Sequence, residues 1–70
     1  MGEQLVRITG EYITLSQLLK KLDFIVTGGE SRLFLQENVI EVNNSVEDRR
    51  GRKLYTGDRV TIAGQTYVLG

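Results

Sequence analysis

Four cations stand within five residues at Arg49, Arg50, Arg52 and Lys53, split by Gly51. Arginine forks match phosphate oxygens in a two-pronged geometry, and lysine adds a mobile point charge. A glycine inside the run lets the chain bend and lets its backbone approach a ligand closely. The chemistry offered is recognition of a polyanion. The competing reading is a solvated loop whose charge is answered by Glu47 and Asp48, which directly precede it.

Little else in the chain suits catalysis. It has no His and no Cys, which removes the commonest general base, the commonest zinc ligand and any thiolate. Glu47 and Asp48 are sequence neighbours, so on a strand they point to opposite faces and cannot act as a pair. Asp58 follows Gly57 in a turn, where a structural role is expected. Gly28-Gly29 precedes a helix but matches neither a P-loop nor a dinucleotide fingerprint, and Glu30 would repel an anion there. We expect no enzyme, no cofactor and no metal site.

The whole chain bounds the answer only loosely. Its 70 residues make a single domain, 1–70, of a size that buries only about 60% of the surface exposed in the unfolded chain. Without cysteine there is no disulfide, so a hydrophobic content of 40% must carry the fold. The longest apolar runs are triplets, Phe24-Ile25-Val26 and Leu33-Phe34-Leu35, far short of the ~20 residues that span a bilayer. A soluble, cytoplasmic monomer with no membrane contact is expected. Nine Lys and Arg balance nine Asp and Glu, so any polyanion site must come from charge distribution.

The elements that must position the cations read as follows. Residues 4–8 are β-leaning, Thr9-Gly10-Glu11 is a turn, and Tyr12-Ile13 is extended. Thr14 and Gln17 have capping-box spacing, and Leu15, Leu18, Leu19 and Leu22 form one apolar stripe, which predicts a helix over 15–23. Lys20 and Lys21 fall on its opposite side, either as a solvated face or as marginal contacts. Phe24 to Val26 is a buried linker.

Thr27 and Glu30 form a second capping box, predicting a helix over 28–37 that buries Ser31, Phe34 and Leu35 and turns Arg32 and Gln36 outward. Asn38 is a candidate left-handed C-cap. Residues 39–42 are a strand with Ile40 and Val42 inward, Asn43-Asn44 is a hairpin turn, and residues 45–47 return. After the basic run, Leu54-Tyr55, Arg59 to Ile62 and Thr66 to Leu69 are extended, separated by turns at 56–58 and 63–65. This pattern is α+β, two short helices packed on a small, mostly antiparallel sheet.

In this order the features resemble the small RNA-binding domain of ribosomal protein S-four, and within it the branch of very small stand-alone bacterial proteins. The carrying residues are Ile13-Thr14-Leu15 with Leu18-Leu19, Thr27-Gly28-Gly29, Phe34 to Glu37, Val42-Asn43, Arg49 to Leu54 and Gly57-Asp58. The likeness spans about residues 13–62 and extends in the small branch through Ala63-Gly64 to the end. It implies structured RNA, ribosomal, pre-ribosomal or tRNA-like, gripped along the second helix and the adjoining basic loop, with ribosomal proteins as neighbours. Arg32 takes a basic position on that helix. Two positions often basic in the wider family are Thr14 and Gly28 here.

The expected RNA contacts are therefore Arg32, Arg49, Arg50, Arg52 and Lys53, with Lys20 and Lys21 at the margin. Tyr12, Tyr55 and Tyr67 lie far apart in sequence, so no base-stacking platform is expected and recognition falls to shape and phosphate. A rival resemblance is the β-grasp sulfur carrier, with Thr14 to Leu19 and Gly57 to Val60 as its matching segments. That chemistry needs a flexible terminal Gly-Gly, and here a single glycine follows Val68-Leu69. A protein-interaction module of a larger assembly is a third reading.

Overall fold

The computed structural model describes residues 2–70. Strand β1 (Glu3–Val6) leads to β2 (Tyr12–Thr14), helix α1 (Leu15–Lys21), a 3-10 turn (Gly28–Glu30) and helix α2 (Ser31–Glu37). Then come β3 (Ile40–Val42), β4 (Ser45–Val46), β5 (Lys53–Tyr55), β6 (Arg59–Ile62) and β7 (Gln65–Leu69). Five strands form one sheet in the order β1-β7-β6-β3-β4, with β1 parallel to β7 and the other pairs antiparallel. Strands β2 and β5 make a separate antiparallel ribbon. The fold is α+β, as the pattern of elements predicts.

Helix α1 forms where its capping box places it. The Gln17 amide donates to Thr14 Oγ1 at 3.2 Å, and the Thr14 amide donates to Gln17 Oε1 at 2.9 Å. Leu15, Leu18 and Leu19 are fully buried and meet Ile40, Val60, Ile62 and Leu54 in one core cluster. The helix stops two residues earlier than its apolar stripe suggests. Asp23 takes a φ of 65°, its amide donates to Lys20 O, and the Phe24 amide donates to Leu19 O. That pair of bonds is a Schellman closure, with aspartate in the left-handed position usually given to glycine. Of the linker that follows, Ile25 is buried, Phe24 is half-buried, and Val26 is exposed rather than buried.

The second helical segment is split. Thr27 caps a 3-10 turn, and Glu30 Oε1 accepts from the Thr27 and Val26 amides at 2.8 and 2.6 Å. These backbone donors hold the Glu30 carboxyl below its ordinary range. Ser31 is fully buried, accepts from Ser16 Oγ at 3.2 Å and donates to Gly28 O. A small, hydrogen-bonded residue thus lets the two helical segments meet closely. The expected left-handed cap at Asn38 is not formed: its φ of −133° is extended. Its side chain donates to Phe34 O at 3.1 Å instead, closing the helix while the chain runs straight into β3.

The sheet turns are tight. Asn43 and Asn44 have φ of 51° and 70°, and Ala63 and Gly64 have 51° and 82°, so both hairpins use two left-handed residues, as type I′ turns require. Asp58 is structural, accepting from the Tyr55 amide and from Asn43 Nδ2. At the other edge, the Gly70 amide donates to Val6 O and the Ile8 amide donates to Gly70 O, at 2.9 and 3.1 Å. These two bonds tie Gly70 to Val6 of β1 and to Ile8 just beyond it.

Candidate nucleic-acid interface

The segment 47–53 is placed by contacts at both ends. The Glu47 amide donates to Ile40 O, continuing the β3–β4 hairpin, and Lys53 enters β5. Between them the Arg52 amide donates to Arg49 O at 3.1 Å, closing a turn. The loop is also held from the side. The Leu15 amide donates to Arg52 O and the Ser16 amide to Arg50 O, both at 2.9 Å. These two amides at the start of α1 have no partner inside the helix, so the loop carbonyls satisfy them. The start of α1 is thereby fully engaged, and the cationic side chains project from a backbone fixed to it.

The cations do not form one uniform patch. Glu47 is only 6% exposed, and its carboxylate takes Arg49 Nε at 2.9 Å, Arg49 Nη2 at 3.1 Å and Arg52 Nη1 at 2.6 Å. The Arg49 amide adds a fourth bond at 2.9 Å. Its hydrogen bonds to the Arg49 side chain are the main cause that pulls the Glu47 carboxyl down to about 2, against the opposing effect of burial. Two guanidiniums share one buried carboxylate, so the cluster carries one net positive charge. The Arg49 side chain remains 72% exposed and Arg52 35%, leaving donors turned outward.

Arg50, Arg32, Lys20, Lys21 and Lys53 make no ion pair among the described residues. Arg32, from α2, and Arg50, from the loop, line one open concavity with Leu35, Gln36 and Asp48. Arg49, Gly51, Arg52 and Lys53 line an adjoining shallow surface. Lys20 and Lys21 lie apart, along a third concavity with Ile8, Tyr12 and Gln17. Gly51 has no positive φ, and a Cβ built on it would meet nothing within 4 Å. The bend of the loop therefore does not require glycine at that position.

Two features of the site are not evident from residue types. By sequence Glu47 is a flanking counter-charge, whereas in the fold it is the buried hub of the loop. A signal exists: a two-residue turn at Asn43-Asn44 pairs Val42 with Ser45 and Glu41 with Val46, which sets Glu47 opposite Ile40 on the inward face. The tyrosines are also not all scattered. The register of β2 with β5 pairs Tyr12 directly with Tyr55, their ring centroids are 5.9 Å apart, and Lys53 Nζ lies 5.0 Å from the Tyr12 centroid.

Two helices packed on a mostly antiparallel mixed sheet are compatible with an S-four-like domain. The chain belongs to the S4 domain family, whose pattern matches residues 6–69. It is 49% identical over 59 residues to the probable ribosome maturation protein RlbA of Bacillus subtilis (strain 168), an alignment covering 84% of this chain and 83% of that protein.

Proposed function

We propose that this chain is a non-catalytic RNA-binding protein acting in the cytoplasm on ribosomal or pre-ribosomal RNA. The observation that carries the reading is the shared concavity of Arg32 and Arg50, two guanidiniums without ion pairs among the described residues, delivered from α2 and the loop. The family and the ribosome-maturation name of the RlbA relative support ribosomal or pre-ribosomal RNA as the class. Phosphates bind first at Arg32 and Arg50, then at Lys53 and the outward donors of Arg49 and Arg52. With Arg49 and Arg52 together contributing one net charge, about four charges give a log–log salt slope of roughly −3 to −4, hence on the order of 100-fold weaker binding at 200 mM than at 50 mM salt.

The test is RNA pull-down with sequencing and a salt titration, comparing the native protein with Arg32→Glu/Arg50→Glu. The expected result is loss of the enriched RNA and a slope shallower by about 2. Retention of the same RNA with an unchanged slope would show that the site lies elsewhere.

A further inference from the structure

Strands β2 and β5 bury Ile13 and Leu54 against the core and turn Tyr12, Thr14, Lys53 and Tyr55 to the other face. Tyr12 and Tyr55 are 40% and 47% exposed, so two aromatic rings, tilted 54° to each other, meet solvent from neighbouring strands. Three cations lie near Tyr12. Lys53 Nζ sits 5.0 Å from its ring centroid, and Lys20 and Lys21 line a concavity that Tyr12 also borders. Lys53 also borders the outer surface of the basic loop with Arg49 and Arg52, so it links the tyrosine pair to that loop.

We propose that Tyr12 and Tyr55 form a stacking platform for an unpaired base of the bound RNA, with Lys53 and the Lys20–Lys21 pair taking adjacent phosphates. The inference rests on the RNA-binding reading and adds a second, chemically different contact to it. An exposed ring beside ammonium groups matches a nucleotide, which presents an aromatic face and an anion together. The Lys53 contact with Tyr12 does not stand in the way, because an exposed cation–π contact is weaker than a base–aromatic stack. Lys53 is then displaced from ring to phosphate. Stacking accepts any base, so the platform selects for single-strandedness next to a helical element rather than for a sequence.

The test uses two RNA hairpins, identical except that one carries three unpaired nucleotides beside its stem, titrated at 50 mM salt. The protein has no Trp, so its emission comes from Tyr12, Tyr55 and the buried Tyr67. The expected results are tighter binding of the extended hairpin and quenching of tyrosine emission by that hairpin alone. Tyr12→Leu should weaken the extended hairpin by roughly 5- to 100-fold while leaving the paired one unchanged, and Tyr12→Phe should retain the preference. If binding depends on Arg32 and Arg50 but ignores the extension, or if Tyr12→Leu weakens both hairpins equally, the platform is overturned alone. If neither hairpin binds, the RNA-binding reading falls and the platform falls with it.

Discussion

The buried carboxylate of Glu47 grips the exposed guanidinium of Arg49 through both Nε and Nη2, at 2.9 and 3.1 Å. A charged pair with one partner buried is costly to break from one side, because the remaining buried charge loses its compensation. The loop conformation and its charge are thus set by the same residue. Glu47→Gln should lower stability measurably in urea or thermal melts and loosen residues 48–52, seen as faster amide exchange at Arg52. Removing the carboxylate also frees two guanidiniums, so non-specific binding of homopolymer RNA should strengthen at low salt even as the protein becomes less stable.

Acid should unfold the protein through the same group. The Glu47 carboxyl is lowered from its ordinary 4.5 to about 2 in the fold. A depressed carboxyl contributes stability that is complete above the unfolded value and is lost as pH falls through the folded one. Stability should therefore decline between about pH 4.5 and pH 2, and that decline should be flatter in Glu47→Gln. Urea midpoints measured across this range check it. A native curve identical to that of the variant would rule out Glu47 as the titrating group.

Gly51 separates folding from binding. Its φ is not left-handed and a Cβ there has open space, so Gly51→Ala should leave stability unchanged or raise it by up to about 1 kcal/mol. If the RNA backbone packs against the loop, the same substitution should reduce affinity several-fold. Thermal melts and RNA titrations on one preparation distinguish the two effects, and unchanged affinity would place Gly51 outside the interface.

Ala63 is strained in the opposite sense. It holds φ 51° as the first residue of the β6–β7 hairpin turn, where asparagine before glycine is favoured. Ala63→Asn should stabilise the fold by about 0.5–1 kcal/mol, raising Tm by several degrees for a domain of this size. RNA binding should not change, since neither Ala63 nor Gly64 lines a concavity with Arg32, Arg50 or the other loop cations. A lower Tm would show that the turn geometry is misassigned.

What residue types and spacing disclose in this chain is local. The Thr14–Gln17 box, the Leu15-Leu18-Leu19 stripe and the Asn43-Asn44 turn each act within a few positions, and each is found as read. The left-handed aspartate at 23 is hidden because its conformation is imposed by Phe24 entering the core region beside Phe34 and Tyr67, not by its own propensity. Asn38 still caps the helix through Phe34 O, but its extended backbone answers to β3 rather than to a left-handed cap. The pairing of Tyr12 with Tyr55 spans the helices and the loop, and no periodicity reports such a register. For the candidate site, residue types nominate Arg32 and Arg50 as cations, and both are exposed. Only the fold shows that Arg49 and Arg52 are partly neutralised while Arg32 and Arg50 share one hollow.

The two bonds from the first amides of α1 to the carbonyls of Arg52 and Arg50 have a thermodynamic consequence. A free loop of this composition would lose conformational entropy on meeting RNA, at roughly 1–2 kcal/mol per residue ordered. Here that loss is incurred during folding, so encounter with RNA finds the loop already shaped. Association should then resemble rigid docking, fast and steered by charge at low salt, with little induced order to slow it. In a chain of zero net charge, binding through a few cations would depend on this preorganised backbone.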